Sequence, residues 1–357
     1  MNTCKLARLA AGLLCTAALT FAASYNLQPG KAELKSAGAL AFGPDGVLFV
    51  GDTAGASIVA LDVKDTTAAK SSTFEVNGIN EKIAGMLGIA VDQILINDTA
   101  VHPISKNVYL AVSRGRGPDA VPVILRVTPD GKIFEVSLDN IGHSSVKFSD
   151  APATPANGRQ VETITALAYV DGNVMVAGLS NEEFSSSLRS IPFPFTNAAK
   201  GAGIQIYHGS HGRFETASPV RTFVPYEIAN QKQILAAYTC TPLVKIPVSE
   251  LKPGAKVQGV TIAELGAGNR PLDMIVYEKG GKHFILMANS ARGVMKLSAE
   301  GLEDFKAITA QTEITGVPYE TIASLVGVEH LNKVNESTGL ILQKSGASMN
   351  LRTIALP

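Results

Sequence analysis

Two acidic residues stand beside apolar, strand-like runs, where a charged side chain needs a specific reason to be present. Asp273 lies inside the run Pro271-Leu272-Asp273-Met274-Ile275-Val276, and Glu162 precedes the run that starts at Ala166. A buried carboxylate requires a partner. We therefore expect Asp273 either to form a structural ion pair with Arg270 or to contact a ligand.

Carboxylates near side-chain amides also make an oxygen-rich site. Glu162 and Asp273, together with Asn181 or Asn269, provide the oxygen ligands that a hard cation such as Ca²⁺ takes. If the protein holds one divalent cation, either Ca²⁺ or Zn²⁺, we expect Glu162 and Asp273 to be its ligands.

The histidines and the cysteine offer a weaker chemical signal. His208-Gly209-Ser210-His211 has a spacing that can chelate a metal, but its glycine favours a hairpin turn with solvent-facing imidazoles. Cys240 needs a nearby base to act as a nucleophile, and no histidine has a matching spacing, so we expect a buried, inert thiol. The GxSxG, HExxH, Walker A and GxGxxG motifs are absent.

The segments that carry these residues are short β-type runs separated by Gly, Pro, Asp and Asn. The first unit reads Ala39 to Phe42, the turn Gly43-Pro44-Asp45-Gly46, and Val47 to Val50, and the same order recurs along the chain. Units of roughly 40–50 residues with about four strands each are typical of propeller blades. We predict an all-β protein, a six-bladed β-propeller of four-stranded antiparallel blades, with five or seven blades as alternatives.

The last unit ends after three strands, so we expect the N-terminal residues 25–35 to supply its fourth strand and close the ring. In such a ring, the loops that enter the inner strands and those between the second and third strands share one face. A mixed set of carboxylates, amides and arginines on that face suits a small polar or anionic ligand. The predicted ligand-binding residues are Arg114, Glu162, Asn181, Asn269, Arg270, Asp273, Asn289 and Arg292.

Two stretches resemble NHL-type propeller repeats, one from Leu48 to Val59 and one from Phe284 to Val294. Each has a strand, a small residue, then Asp52 or Asn289, a polar turn and a second strand. An Asx side chain at this position commonly fixes the turn. The chain is similar in outline to the six-bladed propellers that include gluconolactonase and the senescence-marker-protein-like hydrolases.

That resemblance implies one divalent cation on the propeller axis and an activity on lactones. The glutamate that the family carries in its first blade is missing, because Lys35-Ser36-Ala37-Gly38-Ala39-Leu40 occupies that strand start. Glu162 and Asp273 are the substitutes at matching positions. The same fold carries both enzymes and binding modules.

Composition and charge restrict the partners. The chain has 357 residues, with 31 basic and 31 acidic side chains, so a nucleic-acid or acidic-membrane partner is not expected. Residues 1–24 have the pattern of a signal peptide, with Lys5 and Arg8 before an apolar stretch too short to span a membrane. We expect a single domain over residues 25–357 and a periplasmic or secreted location.

These observations predict a module that binds a small polar molecule or a protein partner at the mouth of a central channel. The alternative is a metal-dependent lactone or ester hydrolase, in which a cation held by Glu162 and Asp273 polarises the carbonyl and activates water. A redox-accessory role is a third interpretation, for which the sequence offers no cofactor ligand set. Whether the protein is an enzyme stays open at this point.

Overall fold

The computed structural model describes residues 25–153, 162–197 and 200–357. The expected signal peptide, residues 1–24, lies outside the described residues. The described chain forms six antiparallel sheets arranged as a ring, each with four principal strands. The prediction of a six-bladed all-β propeller is therefore confirmed. No helix among the described residues has the length and hydrophobicity needed to cross a membrane.

The first two blades are interleaved along the chain. From the channel outward, blade 1 contains β2 (Leu40–Phe42), β3 (Leu48–Asp52), β4 (Ser57–Asp62), β10 (Ile141–Lys147) and a short edge strand, β1 (Gln28–Gly30). Blade 2 contains β6 (Ile94–Val101), β7 (Val108–Arg114), β8 (Val121–Val127) and β9 (Ile133–Glu135). The fourth strand of blade 1 thus comes from chain that follows blade 2.

Blades 3 and 4 carry additional edge strands. Blade 3 contains β11 (Ala166–Val170), β12 (Asn173–Leu179), β13 (Ser186–Pro192), β14 (Ala202–His208), and beside β14 the short strands β15 (Arg213–Glu215) and β19 (Lys256–Gln258). Blade 4 contains β16 (Thr222–Ile228), β17 (Gln231–Ala237), β18 (Pro242–Pro247), β20 (Val260–Leu265) and β24 (Ile314–Gly316).

The last two blades include the closure of the ring. Blade 5 contains β21 (Pro271–Lys279), β22 (Lys282–Asn289), β23 (Gly293–Ser298) and β25 (Tyr319–Thr321). Blade 6 contains β26 (Val328–Lys333), β27 (Thr338–Ser345), β28 (Ser348–Ala355) and β5 (Glu75–Val76). The strand that completes blade 6 is therefore β5, and the prediction that residues 25–35 close the ring is wrong.

The blades do not follow each other around the ring in chain order. Inner strands contact their neighbours in the order β2, β6, β26, β21, β16, β11 and back to β2. Blade 2 thus lies between blades 1 and 6, and blade 3 lies on the other side of blade 1. After β5, the helix α1 (Ile79–Leu87) packs against β28 and leads the chain into blade 2.

Six apolar clusters form the core, one between each pair of neighbouring blades. Because both faces of a blade are covered, its middle strands read as continuous apolar runs rather than as alternating ones. All five residues of β3 are buried, for example. The turn before β3 has a left-handed backbone at Asp45 (φ 53°) and Gly46 (φ 80°), which suits the Pro-Asp-Gly signal in the sequence.

Candidate functional site

Three charged residues meet at the end of the channel where the inner strands begin, which we call the mouth. Glu162 lies shortly before β11, Arg221 directly before β16, and Arg270 directly before β21. A carboxylate oxygen of Glu162 lies 2.7 Å from Nη2 of Arg221. The Nε of Arg221 also donates a hydrogen bond to the Thr239 hydroxyl at 3.1 Å. We call Glu162, Arg221 and Arg270 the mouth cluster.

Arg270 brings a second positive charge to this cluster. Its backbone N–H donates to the Ser290 hydroxyl at 3.0 Å, and its carbonyl accepts the Ser290 N–H at 2.9 Å. Burial and the nearby positive charge of Arg221 lower the pKa of Arg270, and Glu162 offsets part of this effect. The mouth cluster therefore combines two guanidinium groups with one carboxylate.

A second cluster, the channel cluster, consists of Asp98, Asp273 and His330. It joins the inner strands of blades 2, 5 and 6, and its potential ligand atoms lie within 4.8 Å of one another. The Nδ1 of His330 is 3.4 Å from Asp98 and 4.0 Å from Asp273. All three side chains are largely buried.

The same irregularity places each of these three residues. In β6, β21 and β26 the pairing register shifts immediately before Asp98, Asp273 and His330, respectively. A β-bulge inserts one extra residue and turns the following side chain out of the regular alternation. Three equivalent bulges in adjacent blades thus direct two carboxylates and an imidazole to one place.

Backbone donors and a histidine hold the two carboxylates. Asp98 accepts the N–H groups of Leu40 and Thr99, both at 2.7 Å. Asp273 accepts the N–H groups of Met274 and Leu331, both at 2.8 Å. The carboxylates therefore also connect neighbouring blades, because Leu40 belongs to blade 1 and Leu331 to blade 6.

Charge interactions couple the members of the channel cluster. Burial and the negative charge of Asp98 raise the pKa of Asp273. Burial opposes protonation of His330, but Asp98 and Asp273 outweigh it and raise the pKa of the imidazole. A cation in this cluster, whether a proton on the imidazole or a metal ion, is stabilised by the two carboxylates.

The predicted residues Asn269, Asn289 and Arg292 are engaged within the fold. The Asn269 amide donates to the Asn289 oxygen at 2.9 Å, and its own oxygen accepts the Ala291 N–H at 3.1 Å. Arg292 donates to the carbonyl of Ala267 at 3.1 Å. These bonds connect the segment before β21 to the β22–β23 turn, so they shape the rim of the mouth.

The remaining predicted residues divide between the two clusters and the surface. Glu162 and Arg270 belong to the mouth cluster and Asp273 to the channel cluster, whereas Arg114 and Asn181 are exposed on blades 2 and 3. The structural ion pair between Arg270 and Asp273 is not formed among the described residues, because Arg270 faces Arg221 and Glu162 instead. Asp52 accepts N–H bonds from Lys35, Ser36 and Gly55, as expected for a turn-fixing side chain.

The two predicted metal ligands, Glu162 and Asp273, have different partners in the structure. In the described residues, two groups of three side chains place potential ligand atoms within 4.8 Å of one another: Asp98, Asp273 and His330, and His208, His211 and Cys240. Glu162 is in neither group, since its carboxylate pairs with Arg221. The expectation of solvent-facing imidazoles is wrong for His208, which is only 2% exposed.

Sequence reasoning missed Arg221, Asp98 and His330. Asp98 follows the apolar run Ile94-Leu95-Ile96 in its strand, which is the kind of signal that singled out Asp273, whereas His330 lies in the mostly polar strand Val328–Lys333. Applied to every inner strand, the same criterion selects Asp98 and Asp273 but not His330. Arg221 carries no such signal, because an arginine before a strand is ordinary in a loop.

The sequence matches no protein-family model and no curated protein. Solved structures similar to it include Drosophila Plexin A in complex with Semaphorin 1b, with 9% identity, a TM-score of 0.43, and coverage of 93% of this chain and 87% of that chain. A periplasmic gluconolactonase of Pseudomonas aeruginosa has 13% identity and a TM-score of 0.37, covering 90% of this chain and 68% of that chain.

A putative oxidoreductase (glucose dehydrogenase) of Thermus thermophilus has 13% identity and a TM-score of 0.35, covering 92% of this chain and 100% of that chain. Gluconolactonase and glucose dehydrogenase structures are thus among the neighbours. The six-bladed architecture itself is established by the sheet pairing of this chain. No activity is inferred from these likenesses.

Proposed function

We propose that this propeller binds a small anionic molecule at the mouth of its central channel. The observation that carries the proposal is the charge imbalance of the mouth cluster, in which Arg221 and Arg270 lie near each other and near one carboxylate, Glu162. Two neighbouring guanidinium groups repel each other, and a bound anion relieves that repulsion.

The donors at the mouth suit a carboxylate or a phosphate. A guanidinium group presents planar N–H donors that match the oxygens of either anion. The Thr239 hydroxyl, already bonded to Arg221, adds a polar group beside them. The side-chain amides of Asn269 and Asn289 are already bonded to each other, so they support the rim rather than supply the main donors.

The proposal is tested by titrating the protein with inorganic phosphate and with small carboxylates at low ionic strength. Arg270→Gln removes one guanidinium, and Arg221→Gln removes the other. Losing a charge-assisted hydrogen bond of about 1.5–3 kcal/mol weakens binding by roughly 10- to 100-fold. Isothermal titration calorimetry gives the dissociation constants.

Arg126→Gln is the matched control, because Arg126 lies over the Phe134 ring of blade 2, away from the mouth. It should leave the dissociation constant unchanged. Equal weakening in Arg126→Gln and Arg270→Gln would contradict the proposal, as would the absence of any anion binding by the unmodified protein. A complex that forms only with another protein would instead favour a protein partner at this face.

A second candidate function, a metal-dependent hydrolase of lactones or esters, is favoured by the channel cluster. Asp98, Asp273 and His330 offer two carboxylates and one imidazole within 4.8 Å, a donor set that suits Zn²⁺ or Ca²⁺. A cation held there would polarise a carbonyl and activate water. The protein residues would orient the cation, while the mouth cluster would hold the anionic part of a substrate.

Metal analysis after dialysis, with and without chelator, tests this candidate. We expect Asp273→Asn to hold one cation per chain fewer than the unmodified protein, and Asp139→Asn, whose carboxylate is exposed, to hold the same number. Hydrolysis of a lactone probe should fall with the metal content. No cation at this cluster, or equal lactone hydrolysis by Asp273→Asn and the unmodified protein, would remove the hydrolase function.

We further propose that the chain is exported, with residues 1–24 as its signal peptide and residues 25–357 as the mature single domain. The basic residues Lys5 and Arg8, followed by an apolar stretch and Ala22-Ala23-Ser24, support this proposal. N-terminal sequencing of the protein recovered from its native host tests it, since export with cleavage removes those residues.

A further inference from the structure

A third set of chemically capable side chains lies between blades 3 and 4, on the same face as the mouth. His208 ends β14, His211 closes the short turn after it, and Cys240 lies in the hairpin between β17 and β18. One ring nitrogen of each histidine and the Cys240 sulfur lie within 4.8 Å of one another. We call these residues the His-Cys cluster.

Glu215 determines which ring nitrogens are available. One carboxylate oxygen lies 2.9 Å from Nδ1 of His208, and the other lies 2.7 Å from Nδ1 of His211. A carboxylate accepts hydrogen bonds, so Nδ1 of each ring donates to Glu215, and Nε2 is the nitrogen left for a ligand.

His208 has a donor or acceptor position that nothing in the described chain uses. The ring is only 2% exposed, and its Nε2 is buried without a hydrogen-bond partner. The His211 ring lies beside it, with centroids 3.9 Å apart, so one ion can reach both rings.

The hairpin holds Cys240 in an uncommon conformation. Cys240 and Thr241 both have left-handed backbone angles, with φ of 63° and 58°, where glycine or asparagine is usual and a β-branched residue is rare. The Thr241 N–H donates to the Tyr238 carbonyl at 2.8 Å, and the Cys240 N–H donates to the Asn269 carbonyl at 2.7 Å. A non-glycine residue keeps a left-handed backbone conformation where the surrounding structure holds it there, and here the two hydrogen bonds fix the position of Cys240.

We propose that His208, His211 and Cys240 bind one Zn²⁺ ion through the two Nε2 atoms and the sulfur, with Glu215 orienting both imidazoles. Zn–N distances of about 2.0–2.1 Å and a Zn–S distance of about 2.3 Å place tetrahedral ligand atoms roughly 3–4 Å apart. The three potential ligand atoms already lie within 4.8 Å of one another, so small side-chain rotations bring them to this spacing. The thiol proton passes to solvent as the thiolate binds.

The donor set favours zinc over the harder cations. Thiolate and neutral imidazole are ligands of Zn²⁺ and copper, whereas Ca²⁺ and Mg²⁺ take oxygen ligands. A carboxylate that accepts from the second nitrogen of a ligating histidine is the usual outer partner in zinc sites. With three protein ligands, a fourth position is left for water or for a small molecule, and His211 is exposed on that face.

The test uses the full chain without a histidine tag. Zn²⁺ is titrated by calorimetry, and Co²⁺ is titrated spectroscopically, since a thiolate–cobalt bond gives a charge-transfer absorption band. Cys240→Ser should abolish that band and weaken Zn²⁺ binding by at least about tenfold, although Cys4 and Cys15 remain. Glu215→Gln should retain the band and weaken binding by about 10- to 100-fold.

His143→Ala is the matched control, because His143 lies on β10 of blade 1, and it should bind Zn²⁺ like the unmodified protein. His211→Ala, at a partly exposed position, gives a second ligand variant that is expected to fold. Unchanged Zn²⁺ binding in both Cys240→Ser and His211→Ala would overturn the proposal. So would binding of Cu²⁺ with no measurable binding of Zn²⁺.

This site is independent of the two proposed functions. Asp273→Asn and Arg270→Gln leave the His-Cys cluster intact, so they should not change the cobalt spectrum. If Asp273→Asn abolishes Zn²⁺ binding and Cys240→Ser does not, the metal belongs to the channel cluster, and the His-Cys assignment is wrong.

Discussion

Among single residues, a half-buried glutamate, Glu215, and a fully buried one, Glu264, show how hydrogen-bond partners decide the charge of the side chain. Glu215 receives hydrogen bonds from His208 and His211, and these donors hold its pKa at about 2. Glu264 is fully buried and receives the N–H of Gly209, while its Oε2 has no partner in the described chain. Burial therefore dominates and raises the pKa of Glu264 to about 7.

This difference predicts how stability depends on pH. The unfolded chain releases the Glu264 proton above its ordinary pKa of 4.5, while the folded chain keeps it up to about pH 7. Raising the pH from 5 to 8 therefore favours unfolding at this residue, and the contribution is absent below pH 4.5. Glu264→Gln should be more stable than the unmodified protein at pH 8, by on the order of 3 kcal/mol.

Urea unfolding at pH 5 and pH 8 measures the two free energies. Glu135→Gln, at an exposed position on β9, is the control and should follow the unmodified protein at both values. The explanation fails if the unmodified protein and Glu264→Gln lose the same stability between pH 5 and pH 8.

At the scale of the elements, one buried ion pair shows how a charged side chain is accommodated in the middle of a strand. Arg189 lies in the middle of β13 and is only 1% exposed, so its charge needs a partner. Its guanidinium is 2.8 Å from a carboxylate oxygen of Asp150 and 4.4 Å from the centre of the Phe148 ring. The segment that follows β10 thus neutralises a charge on a strand of blade 3. This contact holds blade 1 against blade 3.

Removing one partner of that pair should be costly. Asp150→Ala leaves the Arg189 charge buried and uncompensated, and we expect a loss of about 3–5 kcal/mol of unfolding free energy. Urea unfolding at pH 7 gives the value. Asp171→Ala breaks the exposed pair with Lys232 and should cost at most about 1 kcal/mol. Similar losses of unfolding free energy in the two variants would show that the buried pair stabilises the fold no more than an exposed pair does.

At the scale of the whole molecule, the ring is completed in two places by strands from distant chain segments. β5 pairs with β28 to complete blade 6, and β10 pairs with β4 to complete blade 1. Both pairings cover sheet edges that would otherwise be free to pair with another chain. The order of the blades also brings blade 2 next to blade 6, and so brings Asp98 next to His330.

A disulfide tests this closure directly. Glu75 and Arg352 are opposite each other in the β5–β28 pair, at a Cα spacing of about 4.5–5.5 Å that a disulfide spans. The double variant Glu75→Cys/Arg352→Cys should crosslink on oxidation and gain about 2–4 kcal/mol of stability. Mobility on a non-reducing gel and mass spectrometry of the linked peptides detect the crosslink.

The comparison variant is Gln28→Cys/Arg352→Cys, which places the thiol on β1 at the edge of blade 1. It should form no intramolecular crosslink. Crosslinking in this variant and none in Glu75→Cys/Arg352→Cys would mean that residues 25–35 close the ring after all.

The candidate sites were only partly predictable, for a physical reason. Glu162, Arg270 and Asp273 were found because a charge beside an apolar strand is a local signal. The channel cluster needed three β-bulges, and a bulge depends on pairing with a neighbouring strand. The His-Cys cluster needed Cys240 to come within reach of residues 208–211 across a blade boundary, and no spacing along the chain reports this.

The sequence alone determined the repeating units, because strand alternation, turn residues and apolar runs act over a few neighbouring residues. It therefore predicted the fold class and the six blades. The tertiary structure alone decided which segments complete blades 1 and 6 and which blades touch. If the blades followed chain order, blade 2 would lie between blades 1 and 3, and Asp98 would be separated from His330. Contacts between residues hundreds of positions apart depend on the packing of whole blades, which is a property of the closed ring.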